Sequence, residues 1–224
     1  MRAFTRGLLP LAVLGLTTAC ADRSSTAPGP GDGIPTVRIA RGSMGGWTTR
    51  VGGASAASFD PGSAPQALGK GAAAFRIGTA PGDEVSFRNE EFVGTRLGDL
   101  TALGYRTFLA RTGPGGLAPH VVLPVDLDGN GSIDDHLLFR PQATPGRWES
   151  WDALQGGWWS TSDIGGPDER GIRSLGAYVA AAPGARIASA IVVGAWDTRS
   201  PMSGSIDGIV IGVRGNKVMY DFEP

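Results

Sequence analysis

Glycine and proline divide this chain into short segments, and their density most restricts how it can fold. The 224 residues include 36 Gly and 16 Pro, far above average usage and without a collagen-like period. Short apolar runs separated by such residues are typical of strands joined by turns. The chain is long enough to bury one hydrophobic core. The pattern therefore predicts an all-β domain rather than a helical bundle.

Several segments have the alternation of strands. In residues 105–110, Tyr105, Thr107 and Leu109 share one face of a predicted strand. Residues 187–193 are apolar enough to form a strand buried on both faces. Further strands are predicted at 120–125 and 137–139, with a C-terminal hairpin in which Ile209, Ile211 and Val213 precede the turn Arg214-Gly215-Asn216, and Val218, Tyr220 and Phe222 follow it.

The remaining pattern allows one or two short helices. Ser174 is a suitable N-cap for a helix in which Leu175, Tyr178, Val179 and Ala182 share a face, and Pro183-Gly184 would end it. Residues 97–103 are predicted to add a short turn. The expected fold is a two-sheet β-sandwich of jelly-roll type with these short helices.

The N-terminal residues have the three parts of a secretory signal. Arg2 and Arg6 give a positive start, residues 7–16 are apolar, and small residues follow. The apolar run is about half of the ~20 residues that a membrane-spanning helix needs. We therefore predict a removable leader and an exported protein.

Cys20 is the only cysteine, and it lies directly after this leader. The sequence Leu16-Thr17-Thr18-Ala19-Cys20 resembles the bacterial lipoprotein signal, which implies lipidation of Cys20 and anchoring in the cell envelope by the lipid alone. Ordinary cleavage after Ala21, giving a secreted protein, is the alternative. We predict a leader with its lipidation cysteine over residues 1–20, a flexible Pro/Gly/Ser tether over 21–35, and the sandwich over 36–224.

One loop has the residues of a calcium site. Calcium takes six to eight oxygen ligands, many of them from carboxylates. Between two predicted strands, the segment 126–135 has a D-x-D-x-N-G-x-x-D spacing. The predicted ligands are the side chains of Asp126, Asp128, Asn130 and Asp134, and the backbone carbonyl of Ser132.

Two other interpretations of this loop stay open. An EF-hand needs a bidentate Glu at its twelfth position, where this chain has Leu137, so we expect a hairpin loop that resembles those of integrin-type propellers. Asp, Asn and Gly also form turns without any ion. Converging carboxylates repel one another when no cation is bound, which favours a structural calcium ion.

Tryptophans are concentrated in one later segment. Trp148, Trp151, Trp158 and Trp159 lie within twelve residues, and indole rings can stack on the apolar faces of sugars. Trp151, Trp158 and Trp159, with Asp152 as a hydrogen-bonding partner, are the predicted ligand-binding residues. The alternative is that most of these rings fill the core. Adjacent Trp158 and Trp159 face opposite sides of a strand, so we expect one buried and one partly exposed.

Four segments in this order resemble a known kind of module. They are residues 94–103 (GTRLGDLTAL), the acidic hairpin loop 126–135, the tryptophan-rich segment 148–154 (WESWDAL) with Trp158-Trp159, and Tyr220-Asp221-Phe222-Glu223. Together they resemble an uncharacterised extracellular bacterial β-sandwich module, similar in outline to lectin-like and carbohydrate-binding jelly rolls. The resemblance covers roughly residues 40–224 and implies the fold and the extracellular address only.

The composition argues against several functions. The net charge is −1 and no basic stripe occurs, so the sequence predicts no nucleic-acid partner. Two histidines and no cysteine in the folded part leave little for a zinc site. We predict a non-catalytic, calcium-stabilised module that binds an extracellular glycan or a surface protein. The alternatives are a structural or adhesive envelope lipoprotein without a small-molecule pocket, and a carboxylate-dependent glycoside hydrolase of lectin-like fold.

Overall fold

The computed structural model describes residues 33–61, 68–113, 115–162, 171–196 and 200–224, without the side chains of residues 60 and 61. These residues form fifteen strands, one α-helix and a 3-10 turn at Leu97–Asp99. The strands are β1 (Thr36–Ile39), β2 (Trp47–Gly52), β3 (Ala56–Pro61), β4 (Gly71–Ile77), β5 (Glu84–Asn89), β6 (Leu100–Arg111), β7 (His120–Asp126), β8 (Asp135–Phe139), β9 (Trp148–Asp152), β10 (Gly157–Ser160), β11 (Arg173–Ser174), β12 (Arg186–Ile187), β13 (Ile191–Trp196), β14 (Met202–Val213) and β15 (Asn216–Phe222), and the helix is α1 (Leu175–Ala181).

The strands form two sheets that pack as a sandwich, which confirms the predicted fold class. In the seven-stranded sheet, β14 pairs with β6 on one side, and with β15 and β4 on the other. Strands β1, β3 and β9 complete this sheet at its edges. The eight-stranded sheet has the order β11-β10-β8-β7-β13-β5-β2, with β12 also paired to β7.

The core lies between the two sheets and is rich in aromatic rings. Trp47, Trp158 and Tyr105 are among its largest fully buried side chains. Phe222 of β15 contacts Phe87 of β5, with ring centroids 5.3 Å apart. Such aromatic pairs add to the free energy gained by burying the rings, and they join the two sheets directly.

The alternation predicted for β6 is confirmed. Tyr105, Thr107 and Leu109 are all buried, and the Tyr105 hydroxyl donates a hydrogen bond to the Pro119 carbonyl at 2.6 Å. This bond gives the buried phenol a partner, since a buried hydroxyl without one costs free energy.

The predicted C-terminal hairpin is also present. Strands β14 and β15 are joined by Arg214 and Gly215, whose φ angles are 51° and 86°. Two consecutive positive φ angles are the requirement of a type I′ turn, which matches the twist of the paired strands. The turn places Ile209, Ile211, Tyr220 and Phe222 in the core.

The short helix begins where the sequence predicted. The Ser174 hydroxyl accepts a hydrogen bond from the Ala177 amide at 3.2 Å, and Leu175 and Tyr178 are buried. Capping of this kind satisfies one of the free amides of the first turn.

One predicted strand is divided in the structure. Residues 187–193 were predicted as a continuous strand, but β12 ends at Ile187 and β13 begins at Ile191. Both pair with β7, and four residues of this segment lie opposite two of β7, between Ile187↔Val125 and Val192↔Val122. The extra residues leave the ladder, as in a bulge. Burial on both faces of β13 is as predicted.

Candidate functional site

The acidic loop between β7 and β8 brings three carboxylates together. One oxygen from each of Asp126, Asp128 and Asp134 lies within 4.8 Å of the others. Gly129 and Gly131, with φ angles of 83° and 86°, give the loop its tight curvature, since this backbone conformation is costly for other residues. The two aspartates at the tip are exposed, whereas Asp126 is buried.

Amide groups of the same loop hold these side chains. Asp126 accepts hydrogen bonds from the Gly129 and Gly131 amides at 2.7 and 2.8 Å, and Asp134 accepts one from the Leu127 amide at 2.7 Å. Burial raises the pKa of Asp126, but the amides of residues 129–131 and the Asp128 side chain outweigh it, so the pKa lies below its usual value. Asp126 is therefore held as a carboxylate.

The other two predicted ligands lie in the same loop. The Asn130 side-chain oxygen accepts a hydrogen bond from the Ser132 amide at 2.6 Å, and its nitrogen donates to Asp128 at 3.0 Å. Ser132 is exposed at the tip. The side-chain atoms of this loop that could bind a metal are therefore oxygens. Oxygen ligands suit a hard divalent cation such as calcium rather than a softer metal.

Asp135, which was not among the predicted site residues, joins this loop to the tryptophan-rich strand. It is buried and accepts hydrogen bonds from the hydroxyls of Ser160 and Thr161 at 2.5 and 2.7 Å, and from the Ser162 amide at 2.9 Å. Ser160 ends β10 and the other two residues follow it directly, so Asp135 holds the end of the strand that carries Trp159. The partners are 25 or more residues away along the chain, and no local pattern indicates them.

The predicted ligand-binding residues are divided between the two sheets. Trp151 lies on β9 and donates its indole N–H to the Thr107 hydroxyl at 2.9 Å. Asp152, next to it, accepts from the Leu154 amide at 3.0 Å in a turn. Both belong to the seven-stranded sheet, whereas β10 belongs to the eight-stranded sheet. They do not form one surface with Trp159.

Trp158 and Trp159 face opposite sides of β10, as alternation requires. Trp158 has 0% exposure and donates its indole N–H to the Ala153 carbonyl at 2.7 Å. Trp159 is 37% exposed. Because Trp158 presents no surface, it is a core residue here, and Trp159 is the member of the pair that a ligand can reach.

Trp159 belongs to a row of outward-facing side chains across the eight-stranded sheet. Its neighbour on β8 is Leu138, followed by Val122 on β7, Val192 on β13 and Arg88 on β5. With strands ~4.8 Å apart, the row runs roughly 19 Å from Trp159 to Arg88. Leu138, Val122 and Val192 form an apolar cluster on this outer face, separate from the core.

Two further aromatic residues lie on the same face and were not predicted as site residues. Trp196, at the end of β13, packs against the apolar cluster. Its ring centroid lies 3.9 Å from that of His120 on β7. Burial, and secondarily the positive charge of Arg140, lower the pKa of His120 to about 3. His120 is therefore neutral and packs against the indole at an interplanar angle of 56°.

Two adjacent depressions follow the row. One, of about 210 Å³, has Arg50, Glu84, Arg88, His136 and Trp196 in its lining, and Ile133 of the acidic loop also lines it. The other, of about 260 Å³, is lined by Leu138, Arg140, Gly157, Trp159 and Ile172. Val122 of the first depression and Leu138 of the second are paired neighbours. We call this surface the outer groove.

The predicted leader, including Cys20, and most of the predicted tether lie outside the described residues. The first strand of the sandwich begins at Thr36. Within the part of the chain that the structure describes, no helix is long and apolar enough to span a bilayer.

Comparison with known proteins gives similarity to solved structures. No protein-family model matches the sequence, and no curated protein matches it. Among solved structures, the chain is similar to a family 11 carbohydrate-binding module from Clostridium thermocellum, solved in complex with a β-1,3-1,4-mixed-linked tetrasaccharide. The TM-score is 0.40 and the identity 12%, over 81% of this chain and 92% of the module.

Proposed function

We propose that this protein is a cell-envelope lipoprotein whose sandwich binds an extracellular glycan in the outer groove, without converting it. The observation that carries the proposal is the exposed indole of Trp159 beside two contiguous depressions that contain both apolar and hydrogen-bonding groups. Pyranose rings have the same mixed character, with apolar C–H faces and polar edges.

The groove offers a platform and donors in the arrangement that a chain of sugars needs. Trp159 supplies an aromatic face on which a sugar ring can stack. Arg140 lies in the same depression, and Arg88 and His136 lie in the neighbouring one, so hydroxyl groups along the roughly 19 Å row meet hydrogen-bonding side chains. An elongated glycan fits this shape better than a single small molecule.

Calcium is proposed as a structural ion in the acidic loop. Asp126, Asp128 and Asp134 would supply carboxylate oxygens, with Asn130 and the Ser132 carbonyl as further ligands. The ion would cancel the repulsion between three close carboxylates. Because Ile133 of this loop lines the outer groove, a calcium-ordered loop would fix one edge of the glycan-binding surface.

The glycan proposal is tested by affinity electrophoresis against soluble polysaccharides, and by a glycan array with and without calcium. We expect Trp159→Ala to weaken binding by at least about tenfold, as expected for a central aromatic contact. Trp148→Ala removes a half-buried indole from the seven-stranded sheet and is the matched control, with binding unchanged. Absence of binding to every glycan would reject the proposal in favour of a structural or adhesive role.

Calcium binding is tested by thermal melting in EGTA and in millimolar calcium. A ligand that binds only the folded state stabilises it by about 2.7 kcal/mol at a hundred times its Kd, so we expect a rise of several degrees. Asp128→Ala should abolish the rise, and Glu90→Ala, at an exposed acid outside the loop, should retain it. An unchanged melting temperature in the wild-type protein would exclude the ion.

The proposed anchor has its own test. Metabolic labelling with a fatty-acid analogue should label the wild-type protein, and Cys20→Ser should remove the label and release the protein from the membrane fraction. Release of an unlabelled wild-type protein into the medium would instead identify it as secreted after ordinary cleavage.

A further inference from the structure

The outer groove has an excess of positive charge. Arg50, Arg88 and Arg140 line its two depressions, and Glu84 is the only acidic residue in either lining. Glu84 is already paired with Arg50 at 2.6 Å. The protein as a whole has a net charge of −1, so this concentration of cations is local to the groove and does not reflect the general composition.

Arg88 and Arg140 have no acidic partner among the described residues. The ion pairs there join Arg50 to Glu84, Arg147 to Glu149 and Arg214 to Asp99. Arg88 is half-buried in the sheet face, where a guanidinium with no counter-charge is costly, since burial weakens its hydration. An arrangement of this kind is stabilised when an anion is bound.

The two arginines lie in different depressions of the groove. Arg140 shares a depression with Trp159, and Arg88 ends the row on β5. Between them lies the apolar cluster of Val122, Leu138 and Val192. A glycan that follows the row would therefore meet one guanidinium in the depression that holds Trp159, a second one at Arg88, and apolar surface between them.

The two histidines of this face do not cancel the charge of the arginines. His120, which packs on Trp196, is neutral, and His136, in the lining beside Pro124, carries no negative charge in any form. Arg50 is engaged by Glu84. The free charge of the groove is therefore that of Arg88 and Arg140.

We propose that the glycan bound in the outer groove is anionic, with carboxylate or sulfate groups on its sugars that pair with Arg88 and Arg140. This inference rests on the proposed function and specifies its ligand class. Guanidinium groups bind such oxyanions through two parallel hydrogen bonds, which gives geometric selectivity as well as attraction. Neutral glycans of the same shape leave both charges unpaired and bind more weakly.

The experiment compares three kinds of polymer by affinity electrophoresis and calorimetry: the uronate polymers polygalacturonate and alginate, the sulfated galactan carrageenan, which has no carboxylate, and neutral β-glucan and xylan. We expect binding to an anionic polymer, weaker at higher salt because exposed charge pairs are screened. The uronate and sulfate arms separate the two sources of negative charge. Binding to neutral polymers alone, or binding that is independent of salt, would overturn the anionic ligand and leave the glycan-binding function standing. Binding to none would overturn both.

Three arginine variants complete the test. Arg88→Gln and Arg140→Gln should each weaken anionic-glycan binding by about tenfold, as expected for loss of a charge-assisted hydrogen bond, and should reduce its salt dependence. Arg76→Gln makes the same change at an exposed position on the seven-stranded sheet and should have no effect. Melting temperatures measured in parallel identify any variant that acts through folding. Equal binding by all three variants would overturn the assignment of these residues. The salt dependence of binding by the wild-type protein tests the anionic character of the ligand without any variant.

Discussion

Both sheets carry apolar side chains on their outer faces, but the chain covers them differently. On the seven-stranded sheet, Ala102, Val210 and Met219 cluster with Leu68, and Ile34 packs against them. Leu68 and Ile34 come from segments outside the strands. On the eight-stranded sheet, the cluster of Val122, Leu138 and Val192 is bordered by the two depressions of the outer groove.

The covering segment of the first face is fastened by a buried carboxylate. Asp207 of β14 is fully buried and accepts hydrogen bonds from the amides of Leu68, Phe222 and Gly208 at 2.8, 3.0 and 2.7 Å. No corresponding fastening of a segment across the outer groove exists within the described residues. Among the described residues, one outer face is closed by the chain itself, and the other is left open.

The largest expected effect comes from removing the Asp207 carboxylate, which holds the segment that covers the seven-stranded sheet. Asp207→Ala leaves three buried amides without an acceptor, and each such loss costs about 1–3 kcal/mol. We expect a decrease in the free energy of unfolding of about 3 kcal/mol or more by urea denaturation. Asp152→Ala is the control, because Asp152 accepts bonds only within a partly exposed turn. A loss below about 1 kcal/mol would show that the covering segment does not need this anchor.

A second effect distinguishes the outer faces of the two sheets by the pH dependence of the free energy of unfolding. Since the folded-state pKa of His120 is lowered to about 3, its contribution to stability is present above its unfolded pKa of about 6.5 and is lost as the pH falls towards 3. Replacing it with an uncharged ring, His120→Phe, should remove this loss. As the pH falls from 7 to about 4.5, the free energy of unfolding of the variant should rise relative to that of wild type by about 2–3 kcal/mol.

The closed face has the opposite dependence. Burial raises the pKa of Asp207 to about 7, although its amide partners lower it. Its contribution is therefore present below pH 4 and is lost as the pH rises through about 7. The two groups partly offset each other in wild type, so the His120→Phe difference is the informative quantity. Equal pH slopes of the free energy of unfolding for wild type and His120→Phe would contradict this assignment.

The smallest stability effects compare one side chain from each face. Leu68→Ala should cost about 2 kcal/mol, because Leu68 is buried in the outer cluster and its removal leaves a cavity. Trp159→Ala should cost about 1 kcal/mol or less, since part of the indole is already exposed. Differential scanning calorimetry measures both. If Trp159→Ala destabilised the domain more than Leu68→Ala, Trp159 would be a structural residue rather than a binding residue.

Local features of this molecule could be predicted from the sequence. The turn at Arg214-Gly215, the cap at Ser174 and the alternation in β6 each depend on neighbouring residues. The convergence of Asp126, Asp128 and Asp134 has the same origin, because these residues lie within one short loop. Whether an ion occupies that loop stays a prediction.

The outer groove could not be predicted because it depends on strand order. Trp159, Trp196 and Arg88 come from β10, β13 and β5, which meet only after the sheet has assembled. Conversely, Trp151 and Trp159 are eight residues apart in the chain but lie on different sheets. The sequence cluster of tryptophans therefore suggested a common surface that the fold divides.

The parallel pairing of β1 with β15 has a consequence for how this protein acquires its structure. The first strand of the domain has no partner until the last strand is available, because Thr36 pairs with Met219 and Ile39 with Phe222. Contacts between distant parts of a chain slow folding, since loop-closure entropy must be overcome before they form. The pairing of β1 is thus a late step of folding, which completes this edge of the seven-stranded sheet only after β15 is available.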